Sequence, residues 1–190
     1  MSDLLTLTQP ERVPSKIDPC PIVEAVFEIR FISSEDWSNI PGLLFSKIRE
    51  IYKDDQALPV SMVPDQIRKQ MPALAYAPIR RYRSDDFLIQ LGPRVISLAT
   101  VPFKYPGWTR IQEQLLWFLE RGREAGFVRE PERIGVRYVD LFDQQNLFPS
   151  LKLVVSVGDN TVDSDALQVT TTAKSGVFSV RLNVAHPATL

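Results

Sequence analysis

IVEAVFEIRFI, residues 22–32, alternates along its whole length. Val23, Ala25, Phe27, Ile29 and Phe31 fall on one side, and Ile22, Glu24, Val26, Glu28 and Arg30 on the other. Side chains of an extended chain point alternately to opposite faces, so this period of two, rich in β-branched residues, predicts a long strand with one buried face. A buried face needs a second layer, and the sequence supplies two helices. In residues 40–53 (IPGLLFSKIREIYK), Ile40, Leu44, Ile48, Ile51 and Tyr52 form one helical stripe. Ser38 or Asn39 is placed to cap it, Pro41 sits in its first turn, and Trp37 is placed to pack back on it. Residues 106–125 give the second stripe, with Trp108, Ile111, Leu115, Phe118, Leu119 and Gly122 inward and Gly126 at the left-handed position just past the end.

The remaining segments read mainly as strands. Residues 79–83, 87–91 and 95–100 read as short strands separated by Ser84-Asp85-Asp86 and Gly92-Pro93-Arg94, the pattern of an antiparallel meander. Further strands are predicted at 132–142, 151–157, 166–172 and 177–184, the last with Phe178, Val180, Leu182 and Val184 inward. Residues 54–77 hold Pro59, Pro64 and Pro72 and no clean period, which predicts a long irregular connection with a short helix near 64–70. Residues 1–20 contain Pro10, Pro14 and Pro19 and read as an extended arm. The order β-α-β-β-β-α-β-β-β-β predicts an α+β fold, two amphipathic helices packed on one face of a mainly antiparallel sheet, as one domain over 21–190.

Composition removes several classes of function. The 190 residues carry 22 Lys and Arg against 23 Asp and Glu, a net charge of -1, which argues against a strongly basic nucleic-acid coat. One cysteine, Cys20, leaves no internal disulfide, and one histidine, His186, leaves few metal ligands or bases for a triad. The glycines form no phosphate-binding loop. No apolar run reaches the ~18 residues of a membrane helix, and the N-terminus lacks the basic and apolar regions of a signal peptide. The expectation is a cytoplasmic protein with no cofactor, no metal and no membrane contact.

Three features remain as candidate sites. Glu24 and Glu28 share one face of the first strand, and Tyr138 and Asp140 share a face of the strand at 132–142. If these strands are neighbours, the four residues form one polar cluster able to do acid-base work, with Arg133 and Arg137 on the opposite face. A solvated face with cross-strand ion pairs is the plainer reading. Residues 66–83 carry Arg68, Lys69, Arg80, Arg81 and Arg83 without an acid between them, interleaved with Tyr76 and Tyr82. Cations beside aromatic rings suit single-stranded nucleic acid, and charges also protect edge strands. Trp117 lies off the stripe of its helix, as does Leu116, and is a candidate for a protein interface or, equally, for contact with a part of the chain that the periodicities do not place.

A resemblance joins several of these segments. PIVEAVFEIRF (21–31), LIQLGPRVISLAT (88–100), YPGWTRIQEQLLWFLE (105–120) and RIGVRYVDLF (133–142) are similar to the corresponding stretches of a numbered, sporadically distributed bacterial family described as uncharacterised. The resemblance covers roughly residues 20–185. It implies a cytoplasmic bacterial protein and supplies no catalytic residues. Members of that family are longer, which implies a further C-terminal portion. The functional expectation is a protein-interaction module without catalysis of its own, its partner a second copy of the chain. The alternative is a nucleic-acid-binding accessory protein using the basic stretch at 66–83.

Overall fold

The alternating stretch forms β1 (Ile22–Ser33), an interior strand. Around it lie β2 (Asp54–Ala57), β3 (Arg80–Arg83), β4 (Phe87–Gly92), β5 (Val95–Thr100) and β6 (Val128–Asp140). They form one six-stranded sheet in the order β2-β3-β4-β5-β1-β6. Every pairing is antiparallel. The helices are α1 (Ile40–Ile48), the short α2 (Asp65–Gln70) and α3 (Trp108–Ala125). This is the expected α+β architecture. The computed structural model describes residues 17–142, 156–161 and 167–186.

Strand directions explain why α1 and α3 share a face. Counting antiparallel steps across the sheet makes β1 parallel to β2, and β5 parallel to β6. Each parallel pair is joined through a helix, and such crossovers are right-handed. β1 and β5 are antiparallel and their crossovers travel in opposite directions, so two right-handed connections place both helices on the same side. There Ala25, Phe27 and Phe31 of β1 meet Ile40, Leu44 and Ile48 of α1, and Ile111 and Phe118 of α3, in one buried cluster. Phe45 stacks on Tyr82 at 5.7 Å between ring centroids, and Phe31 packs on Phe127 at 5.4 Å.

The centre of the sheet is buried on its other face as well. All six residues of β5 are buried, and Leu88, Ala99 and Val101 form a second apolar cluster with Val26 beside it. The polar residues caught there are partnered where the backbone needs it: Ala25 N–H donates to Thr100 Oγ1 at 3.0 Å.

Several boundaries differ from the sequence reading. β2 lies in the segment read as irregular, because its four exposed residues carry no hydrophobic pattern and pairing with β3 defines it. α1 stops at Ile48, five residues early, and Ile51 is exposed while Tyr52 turns back into the core. Gly126 does end α3, at φ +74°, its N–H donating to Arg123 O. The chain divides into two compact units, Pro21–Leu141 and a second unit of Met1–Cys20 with Phe142–Leu190, where one domain over 21–190 was expected. In the second unit β7 (Ser156–Val157) pairs with β8 (Asn160–Thr161), and β9 (Leu167–Ser175) with β10 (Phe178–His186). Val184 of that alternating set is buried as expected, while Phe178, Val180 and Leu182 are exposed, which corrects the inward placement of those three. Most of the N-terminal arm and of the strand expected at 151–157 lie outside the described residues.

Gly92 is a close-approach point between β4 and the chain entering β3. An added Cβ would sit 2.5 Å from Ala77 O and 2.9 Å from Val95 Cγ1. The backbone cannot yield easily, because Ile79 N–H donates to Leu91 O beside it at 2.8 Å. Gly92→Ala is therefore expected to destabilise by about 1–3 kcal/mol. It should appear as a lowered urea midpoint at unchanged slope; an unchanged midpoint would contradict the contact.

Candidate functional site

The polar cluster proposed from sequence does not assemble. β1 and β6 are neighbours, yet the register sets Ala25 opposite Tyr138 and Val26 opposite Arg137. Tyr138 therefore faces the helices, its ring edge-on to Phe27 at 6.3 Å. Arg137 and Arg133 join the face of Glu24 and Glu28, the reverse of the expected arrangement. The signal for this was present: Ile134, Val136 and Tyr138 form an apolar alternation that belongs with Phe27, not with the carboxylates. On the opposite face each glutamate has a cation. Arg137 Nη2 donates to Glu24 Oε2 at 2.8 Å, and Arg30 Nε to Glu28 Oε1 at 2.8 Å. Tyr76 lies between two guanidinium groups, Arg30 at 4.4 Å and Arg94 at 4.9 Å. Glu132 accepts from both Arg94 Nη2 and the Tyr76 hydroxyl, closing the network. These pairs fasten the 72–79 connection over β1. Asp140 stands apart from them, and burial raises its carboxyl above the ordinary range.

The basic stretch is also partly consumed within the chain. Asp65 holds Lys69 at 2.7 Å and Arg68 at 3.3 Å, and the Lys69 hydrogen bond lowers the Asp65 carboxyl pKa. Arg80 is held by both oxygens of Asp55, at 2.7 and 3.1 Å, which raises its pKa further. Tyr82 is fully buried under Phe45 and offers no ring for base stacking. Arg81 and Arg83 point to the opposite face from Tyr82. Arg83 borders a pocket of about 480 Å³ whose rim mixes cations (Lys53, Arg83, Arg110) with Asp54, Asp85 and Asp86, so it selects no single sign of charge.

Of the two readings of Trp117, contact within the chain is the one the fold supplies. Trp117 stacks on Tyr52 at 5.9 Å and packs against the main core, with the Arg121 guanidinium also over its ring at 5.9 Å. Its position off the stripe is explained by α1, which brings Tyr52 to that flank. Tyr52 itself is fully buried and accepts from Gln114 Nε2 at 3.0 Å.

The opposite flank of α3 is the uncovered one. Trp108 and Leu119, assigned inward from sequence, are exposed, as is Leu116. Beside them on β6, Ile134 is 73 % exposed, and Val136 and Tyr138 are exposed too. Between the two lies an apolar trough of about 310 Å³, with Ile29, Ile96 and Phe118 in its floor and Leu119 and Ile134 on its sides. The cause is a shortage of helix. Six strands spaced ~4.8 Å apart span about 24 Å, and two helices ~10 Å wide cover about four of them. Strand order places α1 over β3 through Phe45 and Tyr82, and α3 over β5 and β1, leaving β6 bare. β6 is also an edge: among the described residues no backbone hydrogen bond reaches its outer side.

Other candidates contribute little. Cys20 is exposed beside Pro21, and His186 ends β10 opposite Leu167. Among the described residues no group of three His, Cys, Asp or Glu side chains is placed to hold a metal, and no helix is long and apolar enough to cross a membrane. No family model, curated protein or solved structure matches the chain. Its function must therefore be argued from its own surfaces.

Proposed function

We propose that this chain is a protein-interaction module, without catalysis of its own, that self-associates through the β6 side of its six-stranded sheet. The supporting observation is the uncovered apolar surface made by Trp108 and Leu119 of α3 with Ile134, Val136 and Tyr138 of β6. Large contiguous apolar patches on a folded surface mark binding sites. Removing five such partly exposed side chains from water is worth on the order of 1 kcal/mol each. That total is comparable with the cost of fixing two proteins together. The pairing of Glu24 and Glu28 with arginines leaves them as structural groups, which favours binding over acid-base chemistry.

Size-exclusion chromatography with light scattering tests this reading. The expected result is a dimer that Ile134→Asp converts to monomer with unchanged far-UV circular dichroism, since a carboxylate there cannot be buried cheaply. A wild-type chain that remains monomeric at every accessible concentration contradicts it.

A further inference from the structure

We propose that two copies join edge to edge through β6, antiparallel and in register about Val136, extending the sheet across a twofold axis. This inference rests on the reading of β6 as the self-association surface and adds how the two copies meet. The outer edge of β6 has no backbone partner among the described residues, and an unpaired edge is a template for another strand. The sequence protects only its first part: Pro131 cannot donate, and the register shift between Arg30 and Phe31 marks a bulge there. Residues 133–139 remain open as a regular strand, about 23 Å long.

Among axes centred on residues 134–137, charge and size favour one register. In an isologous pair, residues with the same side-chain direction must lie opposite one another. Centring on Gly135 sets Arg133 against the partner copy's equivalent of Arg137, twice. Centring on Arg137 sets that residue against itself. Centring on Ile134 sets Val136 opposite the position of Glu132 in the bulge. Centring on Val136 places it against its own counterpart, Ile134 against the position of Tyr138, and Arg137 against the position of Gly135. Apolar side chains then meet across the strands on the helix face, where cross-strand pairs stabilise most. On the other face each Arg137 keeps its own Glu24.

The ends of the trough agree with this choice. Arg123 lines one end and makes no ion pair among the described residues. Asp140 lies on the same face at the other end, likewise without a cation. Phe27 touches both Trp108 and Tyr138, so the start of α3 lies at the Asp140 end of β6. The span from Trp108 to Arg123 along the helix is about 22 Å. The span from Ile134 to Asp140 along the strand is about 20 Å. A twofold axis at Val136 therefore carries the partner copy's Asp140 position to the end where Arg123 stands, and the reverse.

Disulfide trapping tests the register. In a Cys20→Ser background, Val136→Cys is expected to give a covalent dimer on mild oxidation. Directly opposed residues of an antiparallel pair lie within disulfide range. Val139→Cys, set opposite Arg133, is expected to give none. Arg123→Asp and Asp140→Arg should each weaken the dimer about threefold to tenfold, and the double variant should restore it. A dimer that Ile134→Asp disrupts, but that Val136→Cys does not trap and charge exchange does not affect, overturns this pairing while the proposed function stands. A wild-type monomer overturns both.

Discussion

Raising the pH from 10 to 12 is expected to remove about 4 kcal/mol of folding stability. Tyr52 and Tyr82 are both fully buried, and burial pushes each phenol from 10.0 up to about 12. For Tyr52 the hydrogen bonds to Ser84 and Gln114 pull the other way and do not prevail. For Tyr82 the Asp55 carboxylate adds to the rise. The sign follows from proton binding. Between pH 10 and 12 the unfolded chain has lost these protons and the folded chain has kept them, so stability falls as pH rises. It is fully present below the unfolded value. A shift of two units is worth about 3 kcal/mol per group. Set against typical stabilities of roughly 5–15 kcal/mol, this brings the fold close to alkaline unfolding. Urea midpoints across this range check it, with Tyr82→Phe as the comparison. That variant keeps the ring and removes a hydroxyl that is buried with no hydrogen-bond partner. It should be no less stable than wild type at neutral pH, and its alkaline loss should be about half as large. An alkaline loss of equal size in the variant would remove Tyr82 from the account.

Tyr52→Ala is expected to cost about 3–5 kcal/mol at neutral pH. The substitution leaves a cavity between α1 and α3. It also removes the acceptor of Gln114 Nε2 and the ring on which Trp117 stacks. Tyr52→Phe isolates the hydroxyl and should cost only about 1–2 kcal/mol. Near-UV circular dichroism should show Trp117 losing its fixed environment in the alanine variant and keeping it in the phenylalanine one. A cost below about 1 kcal/mol for the alanine variant would mean that the Tyr52–Trp117 stack does not join the helices.

The strands and helices were legible because their periods are long and clean. The alternation at 22–32 and the Ile40, Leu44, Ile48 spacing are enforced by burial on one face. The weaker readings share a cause: each depended on a neighbour that sequence does not reveal. Trp117 lies off the stripe of α3 because Tyr52 reaches that flank from the end of another helix. Trp108 and Leu119 fit the stripe by hydropathy yet stay exposed, because among the described residues no further helix covers the β6 side of the sheet. The alternation of Ile134, Val136 and Tyr138 was visible, but grouping Tyr138 with Glu24 set residue chemistry ahead of periodicity, and periodicity decides which face of a strand is buried. The exposed apolar surface was therefore present in the sequence as two half-surfaces, one on a helix and one on a strand, with nothing to say that they adjoin.

The place of β1 between β5 and β6 also sets a schedule. Its partners on one side are residues 95–99, and on the other residues 128–140. During synthesis the first strand must therefore wait for about 100 further residues before its second edge can close. At roughly 5–20 residues per second, that interval is about 5–20 s. Throughout it, an alternating strand bearing Phe27, Ile29 and Phe31 has an unpaired side. Contacts this distant in sequence also slow folding, since their loop-closure entropy comes due before they form. The emerging chain is thus most exposed to misassembly just before β6 leaves the ribosome, and the strand whose own outer edge stays open is also the one whose arrival ends that risk.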